Sequence, residues 1–211
     1  MSEEVFKSPK KKGRIAVFLS GRGSNFKAIH DAILAEKING EIVLVFSNKR
    51  EALGLKIAQE QNLETLYLNP KEFDSREAYD QAILDEVKKR DVDLICLAGY
   101  MKILTSLFCN ELKNRIMNIH PALLPSFPGL HVQQKAIDWG VRYSGATVHL
   151  VTADVDMGPI ILQAVVPVLQ NDTEDTLSER ILKEEHKIYP EAVKLFFEGR
   201  LEIRGRQVFI R

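Results

Sequence analysis

The tripeptide Asn118-Ile-His120, followed directly by Pro121, contains the residue types best suited to acid-base and oxyanion chemistry. In a strand, residues i and i+2 face the same side, so the amide and the imidazole would project together. An amide can donate to a developing oxyanion, and an imidazole can move protons near neutral pH. Pro121, Pro125 and Pro128 would stiffen the following loop. A histidine that only makes a core hydrogen bond is the simpler interpretation, but this pairing favours a catalytic role.

A second candidate is the loop 154–159, Asp-Val-Asp-Met-Gly-Pro, which follows a predicted strand containing His149. Carboxylates in a loop at a strand end can serve catalysis, but Asp and Gly also dominate ordinary turns. The residues alone leave both Asp154 and Asp156 open. The chain has no Gly-x-Ser-x-Gly elbow, which argues against a serine hydrolase triad.

The third candidate is the loop 20–25, Ser-Gly-Arg-Gly-Ser-Asn, between a predicted strand and a predicted helix. A helix beginning near Ser24 directs unpaired N–H groups at this loop, an arrangement that suits an anion. Phe26 replaces the third glycine of the dinucleotide fingerprint, and no acidic residue ends the second strand, which disfavours NAD. A phosphate monoester held by Gly23, Ser24 and Asn25 fits best, with a ligand-free tight turn as the alternative.

The elements that must position these residues alternate between strand and helix. Short apolar runs predict strands at 15–19, 42–46, 65–68 and 94–98, and helices are predicted at 24–38, 51–61 and 75–90. This alternation predicts a single α/β domain with a Rossmann-like, mostly parallel twisted sheet and helices on both faces. Ligands of such sheets bind at the carboxyl ends of the strands, where Asn118 and His120 would lie.

The second half of the chain is less regular. Strands are predicted at 115–120, 146–152 and 161–169, and a hairpin at 201–210. Capping boxes are predicted at Asp74 and Glu77 and at Thr176 and Glu179, the latter starting a helix to residue 198 that Pro190 should kink or interrupt. Residues 1–13 are predicted to form a flexible Lys-rich arm, and 14–211 the domain.

The composition predicts a cytoplasmic globular protein without nucleic-acid or membrane partners. The 29 Lys and Arg residues equal the 29 Asp and Glu residues, so no basic footprint is expected. No apolar run approaches the roughly 20 residues of a membrane helix, and no signal core is present. The two cysteines have no metal-ligand spacing, so no metal and no disulfide framework are expected, and Cys96 should be a buried free thiol.

A family resemblance rests on four sequence motifs that occur in this order along the chain. They are Ser-Gly-Arg-Gly-Ser-Asn (20–25), Ala-Gly-Tyr-Met-Lys-Ile-Leu (98–104), Asn-Ile-His-Pro-Ala-Leu-Leu-Pro (118–125) and Asp-Met-Gly-Pro-Ile (156–160). With them the chain, from about residue 14 to 198, resembles the phosphoribosylglycinamide formyltransferase family, also called glycinamide ribonucleotide transformylases. The resemblance implies formyl transfer from 10-formyltetrahydrofolate to the amine of glycinamide ribonucleotide in de novo purine biosynthesis. It requires small-molecule substrates and no metal, and is compatible with a monomer or a homodimer.

The resemblance also implies roles for individual residues. It matches Asn118, His120 and Asp156 to catalytic residues, and Gly23, Ser24 and Asn25 to the loop that binds the substrate phosphate. It matches Glu185 to a residue that contacts the ribonucleotide. The positions that it matches to folate binding are Arg76, Met101, Lys102, Ile103, Leu104 and Asn118. Asn118 and protonated His120 would stabilise the oxyanion, while Asp156 would support the charged imidazole and order a proton-relaying water. His131 is matched to a position near the active site, and Lys102 departs from the arginine that the family often has.

Other functions compete with this expectation. A formyltetrahydrofolate hydrolase should carry a regulatory domain before the core, and a methionyl-tRNA formyltransferase a longer basic C-terminal domain. A non-enzymatic phosphometabolite-binding module would use only the glycine loop and would leave Asn118, His120 and Asp156 without a shared purpose. The hydrolase is the leading alternative.

Overall fold

The computed structural model describes residues 4–5 and 11–211 of the chain. The strands in that part are β1 (Glu4–Val5), β2 (Gly13–Leu19), β3 (Gly40–Ser47), β4 (Thr65–Tyr67), β5 (Leu94–Leu97), β6 (Ile116–His120), β7 (Tyr143–Leu150), β8 (Ile160–Pro167), β9 (Leu201–Arg204) and β10 (Gln207–Ile210). The helices are α1 (Ser24–Leu34), α2 (Leu53–Glu60), α3 (Arg76–Lys89), α4 (Ser106–Glu111), α5 (Val132–Asp138) and α6 (Glu174–Phe197).

The central sheet has seven strands in the order β4-β3-β2-β5-β6-β7-β8. The first five run parallel, β7 runs antiparallel to β6, and the edge strand β8 runs antiparallel to β7. The predicted mostly parallel sheet is therefore confirmed. The predicted hairpin at 201–210 is also confirmed, because β9 pairs with β10 and, on its other side, with β1.

Helices cover both faces of the sheet, as predicted. Along β2, Ile15 and Val17 pack into the core beside α1, α2 and α6, while Ala16 and Phe18 pack into the core beside α3 and α4. The part of a strand that is covered on both faces is mainly apolar, which explains the unbroken apolar runs 15–19 in β2, 42–46 in β3 and 94–97 in β5. Cys96 in β5 is a buried free thiol, as predicted.

The start of α3 and two short helices differ from the predictions. The N-cap of α3 is Ser75, whose hydroxyl accepts from the backbone N–H of Ala78 at 3.0 Å, so the predicted start at Asp74 is wrong by one residue. The helices α4 and α5 were not predicted. With six and seven residues they are too short to establish an amphipathic period in the sequence.

The long helix α6 corrects the prediction of its N-terminal cap and excludes an interruption at Pro190. Its N-cap is Thr173, and Thr176 is the partner three residues on, so the predicted box of Thr176 and Glu179 is wrong. The helix also continues through Pro190 without interruption. An interior proline costs about 3 kcal/mol, and α6 tolerates it because its buried face packs along the sheet and against α1.

The predicted flexible arm lies largely outside the described residues, which omit 1–3 and 6–10. Of this arm, Glu4–Val5 pairs with β9 in antiparallel register, and Gly13 already belongs to β2. Within the described part of the chain, no helix combines the length and apolar character that a bilayer crossing requires.

Candidate active site

The carboxyl ends of β2, β5 and β6 meet at one edge because these parallel strands are neighbours in the sheet. The loops after β2 and β5 are joined there: Ser20 N–H donates to the carbonyl of Gly99 at 3.1 Å, and Met101 N–H donates to the Ser20 hydroxyl at 2.9 Å. Asn118 and His120 end the adjacent strand β6. The fold therefore brings the glycine loop, the 98–104 loop and the Asn-His pair to the same sheet edge.

Asn118 lies directly opposite His149 of β7 in the antiparallel register. Nδ1 of His149 is 3.0 Å from the carbonyl of Leu150, which can only accept, so Nδ1 carries the proton. Burial lowers the pKa of His149, which is 2% exposed, so the ring is neutral and its Nε2 is an acceptor. The Asn118 amide donates to this Nε2 at 3.1 Å, which fixes the orientation of the amide and leaves its second N–H for a ligand.

His120 lies between a carbonyl and a carboxylate. Its Nε2 donates to the carbonyl of Phe127 at 2.9 Å, and its Nδ1 is 3.5 Å from Oδ2 of Asp156. Oδ1 of the same carboxylate is 3.7 Å from Nε2 of His149. Both ring nitrogens of His120 therefore face hydrogen-bond acceptors, an arrangement that allows the ring to hold two protons.

The structure distinguishes the two carboxylates of the 154–159 loop. Asp156, with φ 55°, points its carboxylate at the histidines, and Oδ2 also accepts from the backbone N–H of Gly129 at 2.8 Å. Asp154 is exposed. The loop lies tight against β7, because a Cβ added at Gly158 would fall 1.7 Å from the carbonyl oxygen of Leu150. The loop can therefore reach the histidines only with glycine at that position.

The glycine loop leaves the start of α1 open to a ligand. Gly23 precedes α1 with φ 77°, and its position makes no side-chain capping hydrogen bond, so the first N–H groups of the helix keep their donor capacity. A Cβ at Gly23 would lie 2.6 Å from Cα of Gly54, so only glycine fits. Phe26, which replaces the third fingerprint glycine, is fully buried in the core.

Asn25 and Glu185 form a buried pair, although they are far apart in the sequence. Nδ2 of Asn25 donates to Oε2 of Glu185 at 2.6 Å. Burial raises the pKa of the Glu185 carboxyl above its usual range, and the bond from Asn25 opposes that rise. Oδ1 of Asn25 is buried with no hydrogen-bond partner among the described residues, which is costly unless a ligand supplies one.

The residues matched to folate binding surround a second part of the edge. Arg76 donates from its guanidinium to the carbonyl of Ile103 at 3.0 Å, and together with Lys102 these residues line a cavity of about 210 Å³. Met101 and Ile103 are 61% and 59% exposed, whereas Leu104 is buried. The structure thus leaves two large apolar side chains in solvent beside two cations.

In the described part of the chain, no hydrogen bond or ion pair joins His131 to the cluster of Asn118, His120, His149 and Asp156. His131 sits at the N-terminus of α5, and its exposed ring is 3.8 Å from Glu174. No role for His149 was predicted from the sequence. A signal was present, since Thr147 and His149 are polar positions that alternate with the apolar residues Ala146, Val148 and Leu150. Among the described residues, no group of three His, Cys, Asp or Glu side chains could hold a metal ion.

Residues 13–193 match the family model described as formyl transferase. The chain belongs to the formyl transferase family. A solved formyl transferase, glycinamide ribonucleotide transformylase 1 from Symbiobacterium toebii, is 48% identical, with a TM-score of 0.94 over 96% of this chain and 95% of that one. The phosphoribosylglycinamide formyltransferase of Escherichia coli is 44% identical over 196 residues, covering 93% of this chain and 92% of that protein.

Some formyl transferase relatives are much longer. The trifunctional purine biosynthetic protein adenosine-3 of Drosophila melanogaster is 47% identical over 188 residues. That match covers 88% of this chain and 14% of the relative. The chain therefore spans a small part of the length of these trifunctional relatives.

Proposed function

We propose that this formyl transferase moves the formyl group of 10-formyltetrahydrofolate to the primary amine of 5-phosphoribosylglycinamide, in de novo purine biosynthesis. The observation that carries the proposal is the cluster of Asn118, His120 and Asp156 beside a phosphate-type glycine loop. The names of the similar proteins support formyl transfer to the same acceptor. A binding module would need only the loop, so the cluster favours an enzyme.

Asn118 and His120 would act on the formyl oxygen. As the substrate amine bonds to the formyl carbon, negative charge develops on this oxygen, and the free N–H of Asn118 and a proton of His120 can stabilise it. Because Nε2 of His120 donates to the Phe127 carbonyl, contact through this nitrogen requires that carbonyl to give way. Breakage of the bond to the folate nitrogen then yields formylglycinamide ribonucleotide and tetrahydrofolate.

Asp156 would support the charge of His120 and move a proton. The nucleophilic amine loses a proton as it forms the new bond, and the departing folate nitrogen gains one. A water on the Asp156 carboxylate can carry this proton, so the reaction balances without a metal or a covalent enzyme intermediate. The negative carboxylate at 3.5 Å also stabilises the imidazolium of His120.

The remaining residues would bind the two substrates. The first N–H groups of α1 would hold the phosphate at Gly23, Ser24 and Asn25, and the paired Glu185 carboxylate would accept from the ribonucleotide. Arg76 and Lys102 supply positive charge for the carboxylates of the folate, and the backbone of 101–104 would contact its ring.

The direct test is an assay of purified protein with 10-formyltetrahydrofolate, with and without the ribonucleotide, following folate absorbance and formylated product. We expect folate turnover only when the amine acceptor is present, with product in equal amount. Formate release without the acceptor would instead identify the alternative, a formyltetrahydrofolate hydrolase. No reaction in either mixture would leave only a binding function.

Replacing Ser24 with aspartate should raise the KM for the ribonucleotide by at least about tenfold and leave the KM for the folate nearly unchanged. The new carboxylate would repel the phosphate, yet an acidic residue in the first turn stabilises a helix, so the fold should persist. Steady-state kinetics with each substrate varied would measure both constants.

The matched control for this charge is Ser24→Asn, which has nearly the same size and no charge. We expect it to change the ribonucleotide KM by at most about threefold. Equal increases in the two KM values, or equal effects of Asn and Asp, would show that the phosphate does not bind at the start of α1. Changes at Gly23 are less informative because a side chain there would collide with Gly54.

A further inference from the structure

A row of polar side chains crosses three strands at the level of His120. His120 of β6 is opposite Thr147 of β7, and Thr147 is opposite Gln163 of β8. Directly opposed residues of antiparallel strands present their side chains on the same face. Gln163 therefore shares a face with His120, although two strand spacings separate them.

Thr147 and Gln163 hold the backbone that follows His120. The buried Thr147 hydroxyl donates to the carbonyl of Ala122 at 2.7 Å and accepts from the Leu124 N–H at 3.0 Å. Nε2 of Gln163 donates to the same hydroxyl at 3.0 Å and to the carbonyl of Leu124 at 2.9 Å. A hydroxyl has one proton and two lone pairs, so this one is fully used. Three backbone atoms of the segment 122–124 are thus fixed.

The anchored segment continues directly to the atoms that contact the catalytic candidates. The carbonyl of Phe127 accepts from His120, and the N–H of Gly129 donates to Asp156. Phe127 and Gly129 both have positive φ, of 52° and 86°, so the segment has an unusual backbone path that needs external support. Within the described contacts, Gln163 is the side chain that bonds to both Leu124 and Thr147.

We propose that Gln163 is a positioning residue for formyl transfer, which acts through Thr147 and the 122–129 segment to fix the imidazole of His120 against Asp156. This inference rests on the proposed function. Without the Gln163 amide, the Leu124 carbonyl loses its side-chain donor and the Thr147 hydroxyl loses one of its partners. The segment then samples more conformations, and the Asp156 carboxylate, which the Gly129 N–H holds beside His120, loses its fixed position.

The test uses Gln163→Glu and Gln163→Met in the full chain. Both variants remove the amide donor while keeping side-chain length. We expect kcat to fall about tenfold, with the ribonucleotide KM within about twofold, because the change disturbs the reacting groups rather than substrate binding. The acid limb of the kcat–pH profile should shift, and the ring NMR signals of His120 should move or broaden.

The control is Gln134→Met on α5, whose amide donates only to exposed Asp138 at 2.7 Å and should leave kcat, pH profile and His120 signals unchanged. The inference is overturned if the Gln163 variants behave like this control, or if kcat falls while the pH profile and His120 signals stay fixed. The inference is also overturned if the melting temperature falls in both Gln163 variants while the His120 signals stay unchanged. If the parent enzyme transfers no formyl group, the proposed function fails, and the His120 signals alone decide whether Gln163 positions the ring.

Discussion

Replacing His120 with glutamine is expected to lower kcat by about 10² to 10⁴-fold with both KM values nearly unchanged. Glutamine keeps a donor for the Phe127 carbonyl, so the 122–129 segment should stay in place, but it cannot hold or transfer the proton. The loss would thus fall on the transition state rather than on ground-state binding. Steady-state and single-turnover kinetics on the variant would measure it.

Asn118→Ala should give a loss of similar size, because it removes the other candidate donor to the oxyanion. His30→Gln is the control, since His30 stacks on Phe26 in α1 and contacts none of the catalytic candidates in the described structure. We expect this control to stay within about twofold of the parent. A His120 variant that binds substrate weakly but turns over at the parental rate would contradict the catalytic assignment.

Replacing Asp156 with asparagine should lower kcat by at least about 10²-fold, whereas Asp154→Asn should stay within about threefold of the parent. Asparagine has the shape of aspartate and tolerates the positive φ of 55°, so the loop should keep its path. The variant removes the charge that lies 3.5 Å from His120 and the carboxylate that would carry the proton. Asp154 is exposed, so its charge is screened by solvent.

NMR spectra of His120 in both Asp variants would complete this test. The Asp156 carboxylate lies 3.5 Å from Nδ1 of His120, so its removal should move the ring signals of His120. Asp154→Asn should leave these signals unchanged. An inactive Asp154 variant, or identical His120 ring signals with and without the Asp156 carboxylate, would exclude this role for Asp156.

The parallel half of the fold could be predicted from the sequence because the pattern of apolar residues along each strand and helix indicates which of its faces are buried. The strand β2 is apolar from Ile15 to Leu19 because helices cover both faces there, and α3 has one apolar face of Tyr79, Ile83 and Val87. The predictions were wrong where a local signal competed with packing. The helix α6 continues through Pro190 because its buried face outweighs the lost hydrogen bond.

The sequence determined which residue types were available and which of them were local neighbours. Asn118 and His120 share a face because strand residues alternate, and the glycine loop opens α1 because strand and helix are adjacent in the chain. These relations depend only on backbone geometry over a few residues. They were sufficient to identify the Asn118-His120 pair and the glycine loop as candidates.

Only the tertiary structure decided the partners of these residues. His149 meets Asn118 because the antiparallel register of β7 on β6 opposes them, and Gln163 reaches the 122–129 segment through the register of β8 on β7. Asp156 rather than Asp154 faces His120 because its positive φ and the close approach at Gly158 turn the loop inward. Register and loop path are set by contacts between different strands and loops, as between Asn118 and His149, and such contacts leave no periodic signal in the sequence.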